Sequence, residues 1–94
     1  MSSNSNAITL LSAVTATGAS KAVQTDAGNS AFLQVSGITS ATVILQGSLD
    51  GTNWSTLGTA LTADGLITVD NAPKYLRANC TVYVSGTITA KVLY

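Results

Sequence analysis

The chain has very few charged or reactive side chains. Its 94 residues include no histidine, one cysteine, one proline and five aromatic residues, and charged residues make up only 9%. Four Lys and Arg residues balance four acidic residues, all of them aspartates, so the formal net charge is zero. Four scattered cations give no basic patch that could neutralise nucleic-acid phosphates. We therefore expect no nucleic-acid partner.

The candidate reactive groups do not form a pattern typical of an active site. Cys80 is the only cysteine, so it forms no intrachain disulfide, and the absence of histidine leaves it without a base that would activate it. Its surroundings favour a small buried apolar residue. The aspartates lie in separate turns beside Gly or Asn, where capping of the turn explains each of them: Asp26, Asp50, Asp64 and Asp70. We predict no catalytic residue, no metal site, no cofactor and no enzymatic activity.

Long apolar runs and targeting signals are also missing. No stretch approaches the ~20 apolar residues that span a bilayer, and the first six residues carry no basic charge. We therefore expect a protein that is made in the cytoplasm, is not exported and has no membrane partner. Residues 1–6 are rich in Ser and Asn and predict a flexible N-terminal arm.

Short β-prone runs fill the rest of the chain. Fourteen Thr, eleven Ser and thirteen Ala dominate, and Gly, Asn, Asp and Ser interrupt the runs every 8–12 residues or so. This spacing predicts an all-β fold, with residues 7–94 forming a single small antiparallel β-sandwich, jelly-roll-like, of about eight short strands. The predicted strands are 7–15, 20–25, 31–36, 41–48, 53–58, 65–70, 74–84 and 87–94.

The C-terminal segment predicts a hairpin. Leu76 to Val84 alternates apolar and polar residues, and so does the run from Thr87 to Val92. A three-residue loop ending at Gly86 pairs Cys80 with Ala90 and keeps both apolar stripes on one face. Gly86 then takes the left-handed position that a type I turn with a bulge requires.

A second hairpin is predicted around Asp50-Gly51, because Gly accepts a positive φ at little steric cost. Trp54 follows directly. As a structural residue it would close the hairpin and cover one end of the core; as a binding residue it would stack on a sugar ring.

Tyr and Arg side chains near the C-terminus form a candidate interface. Tyr75, Arg77 and Tyr83 alternate with the apolar stripe of Ala78, Cys80 and Val82, and Tyr94 could extend the same face. These residue types are enriched at interaction hot spots. The alternative is an ordinary solvated strand face.

Three segments resemble one family of viral proteins. They are Leu-Leu-Ser-Ala-Val-Thr-Ala-Thr-Gly at 10–18, the stretch at 43–59 with Gly-Ser-x-Asp-Gly-Thr-x-Trp, and Ala-Pro-Lys-Tyr-Leu-Arg-Ala-Asn-Cys-Thr at 72–81. Together they are similar to small β-sandwich structural proteins of tailed bacteriophages, which decorate the head or sit on the tail. The resemblance implies a non-enzymatic virion protein, most directly a decoration or cement protein that binds the major capsid protein. It also implies a homo-oligomer, and the threefold positions of capsids favour a trimer. A tail, neck or fibre component is the nearest variant.

A second resemblance points to a different function. Discoidin-like carbohydrate-binding modules also carry a Ser-x-Asp-Gly-x-x-Trp hairpin, which implies a glycan partner. This chain is much shorter than those modules and lacks their paired cysteines.

Overall fold

The structure, a computed structural model, describes residues 7–25 and 28–94. The predicted arm at 1–6 and the turn at Asp26 lie outside the described residues. The all-β, antiparallel class is confirmed, since the described residues form seven strands and no helix. In the described part of the chain there is thus no helix that could cross a membrane. The strands are β1 (Ile8–Val14), β2 (Gly18–Ala19), β3 (Val23–Gln24), β4 (Ala31–Ser48), β5 (Ser55–Leu61), β6 (Gly65–Val69) and β7 (Tyr75–Leu93).

Two long strands organise the sheet. β4 and β7 pair along almost their whole length, from Phe32 opposite Leu93 to Ser48 opposite Tyr75. Each was predicted as two short strands separated by a break. The predicted C-terminal hairpin is wrong. β7 continues through Ser85 and Gly86 without a turn, and Cys80 pairs with Val43 of β4, not with Ala90. The turn residues in the sequence mark a bend in a continuous strand.

The bend divides the sheet into two halves. Half A joins the start of β4 to the end of β7 and is flanked by β1 and β6. Half B joins the end of β4 to the start of β7 and is flanked by β2, β3 and β5. Alternate residues of both halves are buried in one common core, because each half turns one apolar face inward. The smallest extent of the molecule, 19 Å, fits two sheet layers about 10 Å apart with their outer side chains.

Glycine is required where the two long strands bend. Gly37 has φ +83°, and a Cβ built on it would lie 1.8 Å from the carbonyl oxygen of Thr87. On the other strand Gly86 has φ +122°, and its Cβ would lie 2.6 Å from the carbonyl oxygen of Gly37. The two backbones approach so closely that neither position has room for a side chain. Gly86 was predicted to have a positive φ in a turn. It does have a positive φ, but at this bend inside β7.

A β-bulge changes which residues of β7 face the core. Thr42 pairs with Val82 and Val43 pairs with Cys80, so Thr81 is an extra residue on β7. Beyond it the alternation is reversed: Val82 is 51% exposed, and Tyr83 packs against the core. The prediction that placed Tyr83 opposite the Ala78–Cys80 stripe, with Val82 inside, is therefore wrong.

The bend predicts a large difference between two similar Gly→Ala substitutions. Gly28 has φ +88°, close to that of Gly37, but a Cβ there meets nothing within 4 Å. Gly28→Ala should cost only the left-handed backbone penalty of about 1–2 kcal/mol. Gly37→Ala must also push two strands apart and should cost at least about 3 kcal/mol. Urea unfolding of both variants measures the difference, and equal losses would contradict this account of the bend.

The inward position of Tyr83 predicts a stability role for its hydroxyl. It donates a 2.6 Å hydrogen bond to the carbonyl oxygen of Gly86, beside the bend. Tyr83→Phe should lower the free energy of unfolding by about 1 kcal/mol. The matched control is Tyr75→Phe, since the Tyr75 hydroxyl accepts only an exposed, 3.3 Å bond from Gln24; it should stay within about 0.5 kcal/mol of the wild type. Urea unfolding of the two variants measures the difference. Equal losses of stability would contradict the stabilising role of the Tyr83 hydroxyl.

Candidate docking surfaces

The hairpin between β4 and β5 is organised by the carboxylate of Asp50. Its Oδ1 accepts hydrogen bonds from the backbone N–H groups of Thr52 at 2.8 Å and Asn53 at 2.9 Å, and its Oδ2 accepts from the Asn53 side chain at 2.8 Å. The buried hydroxyl of Ser48 donates to Oδ1 and accepts from the N–H of Gly51. One Ser and one Asp therefore satisfy most of the polar groups of the loop.

These contacts lower the pKa of Asp50 well below its ordinary value. The backbone N–H of Asn53 is the main cause, followed by that of Thr52 and by the side chains of Asn53 and Ser48. All of them stabilise the ionised form. Asp50 thus holds its own loop together as an anion that accepts four hydrogen bonds from within the loop.

Trp54 stacks on Arg77 at the end of this hairpin. The guanidinium carbon lies 4.3 Å from the centre of the indole ring, well within cation–π range. Trp54 is half-buried and is not part of the core cluster. Because Arg77 covers one face of the indole, a sugar could not stack on that face without displacing the arginine.

Arg77 is also held from the neighbouring strand. Its Nε–H donates to Oε1 of Gln46 at 2.8 Å, and the side-chain amide of Asn79 donates to the same oxygen at 3.3 Å. Tyr75 lies two residues before Arg77 on β7, and the Nζ of Lys74 lies 5.5 Å from the centre of its ring. We call the outer surface of half B formed by Gln46, Trp54, Tyr75, Arg77 and Asn79 the aromatic face.

The structure separates the four residues of the predicted interface. Tyr75 and Arg77 lie together on the aromatic face. Tyr83 and Tyr94 are half-buried and pack against the core. The aromatic face instead includes Gln46, which sequence reasoning missed because its contact with Arg77 depends on the register of β4 against β7.

The remaining candidate reactive groups lie apart from one another. Asp64 accepts a 2.8 Å hydrogen bond from the N–H of Ile38, and Asp70 accepts a 3.2 Å bond from the Ser30 hydroxyl. Cys80 is 1% exposed, and burial raises the pKa of its thiol. Within residues 7–25 and 28–94, no three His, Cys, Asp or Glu side chains come together as metal ligands.

A second surface lies on the outer side of half A. Phe32 and Leu93 are paired across β4 and β7, and Leu66 of β6 extends the patch. Phe32 is 38% exposed and Leu66 is 62% exposed. They border a shallow groove of about 300 Å³, the apolar groove, lined by Ala7, Phe32, Gln34, Leu66, Lys91 and Leu93. The sequence analysis did not identify this patch, because only the pairing of three strands brings these side chains together.

Comparison of the chain with protein-family models, with curated proteins and with solved structures finds no match.

The Asp50 contacts predict how the hairpin responds to acid. A carboxyl with a lowered folded-state pKa contributes stability that is complete above the unfolded-state pKa of about 3.9 and is lost as the pH falls below it. The hairpin should therefore be unchanged between pH 7 and pH 5 and should loosen only in stronger acid. Amide NMR shifts of Thr52 and Asn53 across the pH range measure this. A midpoint at the ordinary aspartate value would contradict the network, and Asp50→Asn should disturb the same two amides at neutral pH.

Proposed function

We propose that the protein is a non-enzymatic structural subunit that docks onto a larger protein assembly through the apolar groove. The main observation that supports this proposal is the contiguous patch of Phe32, Leu66 and Leu93, on a chain whose polar residues are mostly Ser and Thr. An exposed apolar patch on a small domain marks an interaction site. Covering a large apolar side chain contributes about 1.5–3 kcal/mol if it was fully exposed before.

Among the described residues no side chain is poised for chemistry, and this supports the same proposal. The chain has no histidine to act as a general base near neutral pH. Its thiol is buried, and the Asp50 carboxylate is saturated by hydrogen bonds within its loop. Contact, and not catalysis, is the activity that these side chains can support.

For the partner, we propose the head shell of a tailed bacteriophage. The three segments that resemble phage decoration proteins support this choice, and the major capsid protein is then the surface that covers the groove. Many copies on one shell would act together, because multivalent placement strengthens attachment without any new contact. Trimers at the threefold positions would achieve this most simply, and a tail, neck or fibre position would use the same chemistry.

The test adds the purified chain to heads assembled without it, from the phage that encodes it, and measures cosedimentation. The wild type should bind, and Leu66→Ser should weaken binding about tenfold, the equivalent of about 1.4 kcal/mol. Leu49→Ser is the matched control, because Leu49 is 77% exposed but lies on the hairpin loop, outside the groove. Both variants replace an exposed leucine and should keep the wild-type circular-dichroism spectrum.

Two results would overturn the proposal. One is a wild-type chain that does not sediment with the heads. The other is a Leu66 variant that binds as tightly as the Leu49 variant, because the groove would then not be the docking site.

A further inference from the structure

Among the described residues, Arg77 is a fixed cation without a counter-ion. It is half-buried, stacked on Trp54 at 4.3 Å and tied to Gln46 through its Nε–H. No carboxylate pairs with it among the described residues; Asp50, in the neighbouring hairpin, is occupied by its own loop. Holding a long side chain in one geometry costs conformational entropy. The contacts of Arg77 with Trp54 and Gln46 already hold its side chain in one orientation, so this cost is met before a partner binds.

From this arrangement we propose that the aromatic face binds a side-chain carboxylate of a partner protein, with the guanidinium of Arg77 as the anchor. A guanidinium carries five N–H donors, and toward the described residues Arg77 uses only its Nε–H. The N–H groups of its two Nη atoms form the fork that matches both oxygens of a carboxylate. This surface is distinct from the apolar groove, because none of its residues lines that groove.

Gln46 supplies a second donor beside the fork. Its carbonyl oxygen accepts from both Arg77 and Asn79. The Gln46 amide N–H groups donate to no other group among the described residues. A carboxylate that receives the Arg77 fork can therefore also accept from Gln46, which adds direction to the charge attraction.

The charge distribution favours an acidic partner. Lys21 lies between β2 and β3, Lys74 directly precedes β7, and Arg77 is on β7, so three of the four cations belong to half B. Only Lys91 lies on half A. Of the described aspartates, Asp64 and Asp70 flank β6 of half A, and Asp50 lies in the hairpin of half B, which leaves half B with three cations and one described carboxylate. A negatively charged partner is thus attracted to half B.

The shape favours a protein segment over an acidic sugar. Gln46 and Arg77 are directly paired across β4 and β7, and Asn79 is the next outward residue on β7, so the surface follows a sheet face. One side of the only indole ring is covered by Arg77, which removes one of the two ring faces on which a sugar could stack. Flat polar surfaces with Arg, Tyr and Trp at their centre are typical of protein contacts.

The test titrates the labelled full chain with a short capped peptide that carries two glutamates, and with the same peptide carrying two glutamines. The NMR signals of the Arg77 Nε–H and the Trp54 indole N–H report binding at the aromatic face. We expect the glutamate peptide to shift both signals and the glutamine peptide to shift neither. Arg77→Lys keeps the charge but loses the fork, and it should weaken binding about tenfold.

Lys21→Gln is the matched control, because it removes one exposed positive charge from the segment between β2 and β3, outside both the aromatic face and the apolar groove. It should bind the glutamate peptide within about twofold of the wild type, since exposed charges contribute little at a distance. The proposal fails if the glutamate peptide does not bind, if both peptides bind equally, or if Arg77→Lys binds like the wild type. It also fails if the two substitutions weaken binding equally, or if an oligogalacturonate binds more tightly than the peptide, which would assign the face to an acidic sugar. None of these results bears on docking through the apolar groove.

Discussion

The fold depends on the close approach of two glycines at the bend of the long strands. At Gly37 a single added carbon would overlap the carbonyl oxygen of Thr87, and at Gly86 it would overlap the backbone of the opposite strand. This contact lets β4 and β7 stay paired while the sheet folds over. Without it, half A and half B would each expose an apolar face, because neither half has another layer to cover it. The one hydrophobic core therefore exists only because two backbones can touch.

The same bend determines which side chains lie on the outer surfaces. Irregular pairing is concentrated between residues 36 and 43 of β4 and between 80 and 89 of β7. Each bulge moves the following side chains to the other face, which is why Tyr83 lies inside while Val84 is 70% exposed. Away from the bend the alternation is regular, and it separates the buried Leu33 and Leu45 from the outward Phe32 and Gln46. The irregular and regular segments together determine which residues a partner can contact.

Local features of this fold could be predicted from the sequence, and long-range ones could not. The alternation around Ala78 and Ala90 identified strands and their buried residues, except Val82 and Val84, which are exposed. The Asp50-Gly51 pair identified a hairpin whose polar groups are satisfied locally. Ser85-Gly86 was misinterpreted because a glycine with a positive φ serves equally well in a turn and in a bent strand. What distinguishes the two cases is Gly37, about fifty residues away in the sequence. The contact of Gln46 with Arg77 depends on the same distant register, so the composition of the aromatic face could not be derived from spacing alone.

The two outer surfaces have complementary chemistry. The apolar groove on half A gains free energy in proportion to the area it buries, and this gain is non-directional and little affected by salt. The aromatic face on half B offers a rigid guanidinium, whose hydrogen bonds are directional and discriminate strongly between partners. Because the halves enclose one core, these surfaces point away from each other, and a single partner surface cannot cover both. Under the two proposals, the chain would bridge two neighbours: one contact would supply adhesion and the other would fix orientation. That division of roles would follow from the folded-over sheet, which places an apolar outer face and a polar outer face on opposite sides of a chain of only 94 residues.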